Sequence, residues 1–92
     1  MFKLLLEIGV MDRINALPKK ETDNIKQRIR QLKVNPFPDG SDKKEIKGTR
    51  RTVYRLRVGN YRFFYLIDTK EKTVKVTEFL TAEQAHKIYG RI

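Results

Sequence analysis

The sequence predicts an α+β fold in which a small, mainly antiparallel sheet packs against an N-terminal helical hairpin, and three observations lead there. Within the highly charged stretch 18–33, Ile25, Ile29 and Leu32 recur at i, i+4 and i+7, the spacing of one helix face. Beyond Gly48 the apolar period shortens to two, which is the side-chain period of a strand. Two runs rich in β-branched and aromatic residues then flank Gly59-Asn60, a dipeptide suited to a two-residue hairpin turn.

The elements follow in order. Phe2 to Ile8 is a short apolar run compatible with a strand, its poor period leaving a helix start as the other reading. After Gly9, Val10 to Leu17 predicts a short helix with Val10, Ile14 and Leu17 on one side, ending before Pro18. Pro18 suits the first turn of the helix over 18–33, because the N–H it lacks has no partner there anyway. Two helices meeting at Leu17-Pro18 make a helical hairpin, whose apolar stripes need a sheet to cover. Asn35 to Gly40 is a loop rich in proline and glycine. Strands are predicted over Thr52 to Val58, Tyr61 to Ile67 and Thr73 to Leu80, with a turn at Asp68 to Lys72. Thr81, followed by Glu83 and Gln84, caps a last short helix reaching Tyr89. The resulting order is β-α-α-β-β-β-α.

At 92 residues the chain reads as one domain, 1–92, without room for a second core. It contains no cysteine, so disulfides and thiolate metal sites are excluded, and no metal or cofactor is expected. Apolar runs such as Leu4-Leu5-Leu6 are far shorter than a membrane span. A cytoplasmic protein with no membrane partner is therefore expected.

The formal charge of +10 favours a polyanionic partner, since neutralising phosphates releases counterions. Its placement is more informative than its size. Residues 43–62 hold Lys43, Lys44, Lys47, Arg50, Arg51, Arg55, Arg57 and Arg62 against Glu45 alone, a net +7. Such a run either keeps a surface solvated or forms a binding patch.

Within this segment lies YRLRVGNYRFFY, residues 54–65. With Gly59-Asn60 as the turn, Tyr54, Leu56 and Val58 lie opposite Tyr65, Phe63 and Tyr61, an apolar face for the core. The other face sets Arg57 opposite Arg62 and Arg55 opposite Phe64. Opposed like charges destabilise a ladder. An anion bridging the two guanidinium forks would relieve the repulsion, as would bending into solvent or the approach of Glu78 from the next strand. Phe64 and Phe79 are the aromatics available to stack on bases beside these arginines, whereas the other strand aromatics belong to the core.

The segment IKGTRRTVYRLRVGNYRFFYLID, together with LPKKETDNIKQRIRQLKVNP at residues 17–36, resembles the RelE/ParE superfamily of type II toxin-antitoxin modules, especially its RelE-like branch. The matching positions are Ile46-Lys47-Gly48, Tyr54-Arg55-Leu56-Arg57, Gly59-Asn60 and Tyr61-Arg62. The resemblance implies a metal-independent toxin that cleaves messenger RNA in the ribosomal A site and is neutralised by a cognate antitoxin in a toxin-antitoxin hetero-oligomer. In that chemistry the RNA 2′-hydroxyl attacks the adjacent phosphate while basic groups stabilise the phosphorane. Arg55, Arg57 and Arg62 match the family's basic sheet positions and are the implied catalytic arginines.

The carboxyl end departs from the pattern. RelE-like toxins usually place a basic residue shortly before a late tyrosine, but TAEQAHKIYGRI has Glu83 and Gln84 in that region. Tyr89 and His86, three residues apart on one helix, are the candidates for base stacking and proton transfer; in the other reading Tyr89 and Ile88 dock the helix and His86 is a surface residue. Lys43, Lys44, Lys47, Arg50, Arg51, Phe64 and Lys87 are expected to extend the RNA-binding surface. The departure also leaves two other readings: a ParE-like inhibitor of DNA gyrase, and a non-catalytic RNA-binding relative.

Overall fold

The computed structural model describes residues 1–48 and 50–90. Strand β1 (Lys3–Leu6) leads into helices α1 (Ile8–Asn15) and α2 (Lys19–Arg30), the latter tightening into a 3-10 turn over Gln31–Lys33. Strands β2 (Lys43–Ile46), β3 (Val53–Val58), β4 (Tyr61–Asp68) and β5 (Thr73–Thr81) follow, and helix α3 (Ala82–Tyr89) comes last. The sheet runs β1-β5-β4-β3-β2, with β1 parallel to β5 and the other neighbours antiparallel. The α+β class and the order of the predicted elements stand, and β2 is an addition to them.

Helix α1 begins at Ile8 rather than at Val10 and ends at Asn15, and Pro18 sits just before α2, which starts at Lys19. The apolar stripes fall where the periodicity put them. Val10, Ile14, Ile25, Ile29 and Leu32 bury against Leu56, Val58, Phe63, Tyr65, Val74, Val76 and Phe79 on one face of the sheet. Buried Thr22 ties the hairpin together, its hydroxyl donating to the Ile14 carbonyl at 2.9 Å. Phe79, expected beside the arginines, belongs to this core instead. The bulge between β4 and β5 near Phe64 and Tyr65 sets Phe79 opposite Phe63, with ring centroids 4.6 Å apart.

The β3–β4 register is the one that alternation and a Gly-Asn turn require: Tyr54 faces Tyr65, Leu56 faces Phe63, Arg57 faces Arg62 and Val58 faces Tyr61. Gly59, at φ +56°, takes the left-handed position of the turn, which glycine adopts without steric cost.

Helix α3 covers part of the opposite face of the sheet. Thr81 and Gln84 form a reciprocal capping box that satisfies two backbone amides at its start. Ala85 and Tyr89, one turn apart, point at the sheet and close a second apolar cluster with Ile46, Val53, Phe64 and Leu80. Among the described residues no helix is long and apolar enough to cross a membrane.

Strand β2 escapes the sequence reading because KKEI has three charged residues and only Ile46 to mark a buried side. Its lysines are the charges expected of an exposed edge, where they discourage pairing with another chain. The preceding loop is built, not slack. The Tyr65 hydroxyl donates to the Pro36 carbonyl at 2.7 Å, and Asp39 Oδ1 accepts from the Ser41 and Lys43 amides. Those amide bonds hold the Asp39 carboxyl below the usual carboxylate range.

Candidate functional site

Residues directly opposed in antiparallel strands share a face, so the register sorts the charged segment. One cross-sheet row runs Lys44, Arg55, Phe64, Glu78, and the next runs Arg57, Arg62, Leu80. Both rows lie on the α3 side of the sheet. The three implied arginines therefore do share one face, but they do not share one environment.

Arg55 is only 2% exposed. Its Nη2 donates to the Ser41 carbonyl at 3.0 Å and more weakly to that of Asp42 at 3.4 Å, while its buried Nε–H has no hydrogen-bond partner among the described residues. Burial, then the nearby Arg62 and Arg57, lower its pKa. Arg55 is thus a cation beneath the surface that projects positive field outward, not a fork open to solvent.

Arg57 and Arg62 form the accessible pair. Arg62 Nη1 turns back to the hairpin and donates to the carbonyls of Gly59 and Tyr61 at 2.8 and 3.0 Å. Arg57 donates through Nε and Nη2 to Asp42 Oδ1, at 3.3 and 3.1 Å. The second oxygen, Asp42 Oδ2, accepts from Arg28 Nη2 on α2 at 3.0 Å. The carboxylate that meets the opposed pair is therefore Asp42, not Glu78, and it meets Arg57 alone; burial and then Arg57 still lower the Arg62 pKa.

Glu78 has another role. The Tyr89 hydroxyl donates to Glu78 Oε1 at 2.6 Å, and the Tyr89 ring stacks on Phe64 with centroids 4.5 Å apart. Burial and the Glu78 carboxylate push the Tyr89 phenol up to about 12. The folded-state value lies above the ordinary one of 10.0, so the protonated phenol stabilises the fold fully below pH 10. That contribution is lost as pH rises through about 12. An alkaline titration followed by phenolate absorbance should contain a component with this midpoint that Tyr89→Phe removes.

The other expected contacts divide. Lys44 is exposed and extends the arginine row. Lys43 points to the helical-hairpin side, where its ammonium donates to the Asn35 carbonyl at 2.8 Å. Lys47 is exposed and lies 3.6 Å from Glu45. Arg50 and Arg51 are exposed in the connection between β2 and β3. His86 and Lys87 are exposed on α3, with Lys87 3.5 Å from Glu83. The expected stacking surface Phe64 is instead 1% exposed, because α3 covers it and Tyr89 occupies its face. Asp42 and Arg28 were not legible as partners of this face, and Glu78, expected to approach the arginines, engages Tyr89 instead. Asp42 leaves one trace in the sequence, an acidic residue directly before the +7 run.

The model of the family described as "ParE toxin of type II toxin-antitoxin system, parDE" matches residues 11–86. The chain belongs to this toxin family, within the RelE/ParE superfamily. It is 29% identical over 87 residues to the curated RelE1 protein of Methanocaldococcus jannaschii, covering 94% of this chain and 96% of that one. In fold, this family member is similar to the RelE–RelB complex of Pyrococcus horikoshii OT3, with a TM-score of 0.75 at 24% identity over 87% of this chain and 93% of that one. The isolated RelE toxin of E. coli has a TM-score of 0.72 at 13% identity, covering 96% of this chain and 99% of that one. In this chain the helical hairpin covers the back of the sheet while α3 and the arginine rows make its front.

Proposed function

We propose that this toxin is a ribosome-dependent endoribonuclease that acts on messenger RNA in the cytoplasm and is silenced by a cognate antitoxin in a hetero-oligomer. The observation that supports this most is the opposed pair Arg57 and Arg62 above buried Arg55, on the face that also holds Tyr89. Two guanidinium groups over a third offer a phosphate the donors and positive field needed as negative charge builds on a phosphorane. In the reaction proposed, the RNA 2′-oxygen bonds to phosphorus, the bond to the 5′-oxygen breaks, and a 2′,3′-cyclic phosphate remains. The 2′-hydroxyl gives up its proton and the leaving 5′-oxygen takes one. Tyr89 and His86 are the candidates for this traffic, with Lys44, Lys47, Arg50, Arg51 and Lys87 holding the flanking backbone. An acidic antitoxin segment fits the same cationic surface by charge.

A gyrase-inhibiting role is the second reading. It is favoured by α3, which presents Glu83 and Gln84 where RelE-like toxins usually have a basic residue. Purified, antitoxin-free protein added to ribosomes programmed with a defined message is expected to produce A-site cuts on primer extension. Absence of cuts together with loss of supercoiling in a gyrase assay would replace the first reading with the second.

A further inference from the structure

We propose that Asp42 is a positioning residue that holds Arg57 in place to receive phosphate. The inference rests on the RNA-binding reading of the arginine face, and it follows from how Asp42 itself is held. Its carbonyl accepts from the Arg57 amide at 2.8 Å. Its Oδ2 is bound to Arg28 on α2, and the turn before it is organised by Asp39. A carboxylate tied from both ends cannot swing away readily.

The geometry of the contact distinguishes positioning from competition. Both Arg57 donors that meet Asp42, Nε–H and one Nη2–H, converge on the single oxygen Oδ1. That leaves the Nη1 amino group and the remaining Nη2–H outside the contact, on a side chain that is about half exposed. A guanidinium has five N–H donors, so one edge can be anchored while the rest remain for an anion. The directly opposed Arg62 would otherwise repel Arg57 toward solvent. Without the anchor, Arg57 would have to be ordered at the moment RNA binds, losing side-chain entropy that is already lost here.

A double-mutant cycle tests the proposal without needing catalysis. Binding of a single-stranded RNA oligonucleotide is measured by fluorescence anisotropy for the native chain, Arg57→Ala, Asp42→Asn and the double variant. Asp42→Asn removes one negative charge and should tighten binding in general, an effect the cycle cancels. With Asp42 present, Arg57→Ala should weaken binding about fivefold to tenfold, and in the Asp42→Asn background less than about twofold. An equal or larger loss in that background would overturn positioning and make Asp42 a competitor of phosphate.

Nitrogen-15 relaxation of the Arg57 Nε–Hε group supplies a readout that does not involve RNA. The group should move with the backbone in the native chain and become mobile in Asp42→Asn. If it is equally mobile in both, the proposal fails, whether or not the protein binds or cuts RNA. Asp42→Glu, which keeps the charge but lengthens the arm, should restore part of the order. Ribosomal cleavage measured alongside separates the two claims, since ordered Arg57 without cleavage would reject the enzymatic reading alone.

Discussion

Arg62→Ala is expected to slow ribosome-dependent cleavage by about 10²–10³-fold, the cost of removing one donor from a preorganised charge-stabilising site. Arg62 lies directly across from Arg57, and its guanidinium is fixed by the Gly59 and Tyr61 carbonyls. A donor held this way needs no reorganisation as the phosphorane forms. The same variant should reduce the slope of log affinity against log salt by about one phosphate contact. Lys19→Ala provides the contrast, because Lys19 is 89% exposed beside Asp23 on α2, which packs on the other face of the sheet. Its loss should move binding slightly and cleavage hardly at all, as measured by single-turnover cutting of ribosome-bound message. Equal effects from the two variants would mean that bulk charge, not the opposed arginine pair, drives the reaction.

Phe64→Ala is expected to destabilise the protein by about 3–5 kcal/mol, the usual range for truncating a buried phenylalanine. Phe64 is the centre of the second apolar cluster, touching α3 through the Tyr89 ring and packed with Ile46 and Leu80. Its removal should also loosen α3, so amide exchange would accelerate across residues 82–89 before the helical hairpin opens. Urea unfolding measures the first effect and hydrogen exchange the second. Phe64→Leu, which keeps most of the apolar volume, should retain RNA affinity. A large affinity loss from Phe64→Leu without loss of stability would restore Phe64 as a base-stacking surface.

Phe64 and Arg55 explain where reading the sequence stopped. Alternation correctly puts both on the face away from the helical hairpin, beside Arg57 and Arg62. Alternation says nothing about what lies above that face. The capped helix after Thr81 was legible, and so was docking through Tyr89, but Ile88 is exposed, and neither the part of Ala85, small enough for close approach, nor the Phe64 surface the helix docks on could be read. Once α3 and the β2 edge are in place, Phe64 is core and Arg55 is a buried cation held by carbonyls. Glu78, one strand further along the row from Phe64, is engaged by Tyr89. The charged β2 was hidden for a related reason, because an edge strand is defined by its neighbour more than by its own period.

By itself the sequence determined the amphipathic helices, the hairpin register and the concentration of charge between residues 43 and 62. These depend on local spacing: a two-residue turn and period-two alternation admit one register, since a slip of one would expose every core side chain. Only the tertiary structure decided which cations remain accessible and what balances them. Asp42 lies fifteen positions before Arg57 and fourteen after Arg28, so its role exists only when the edge of the sheet and α2 close around it. Coulomb energy depends on separation in space and on the dielectric between charges, and spacing along the chain specifies neither.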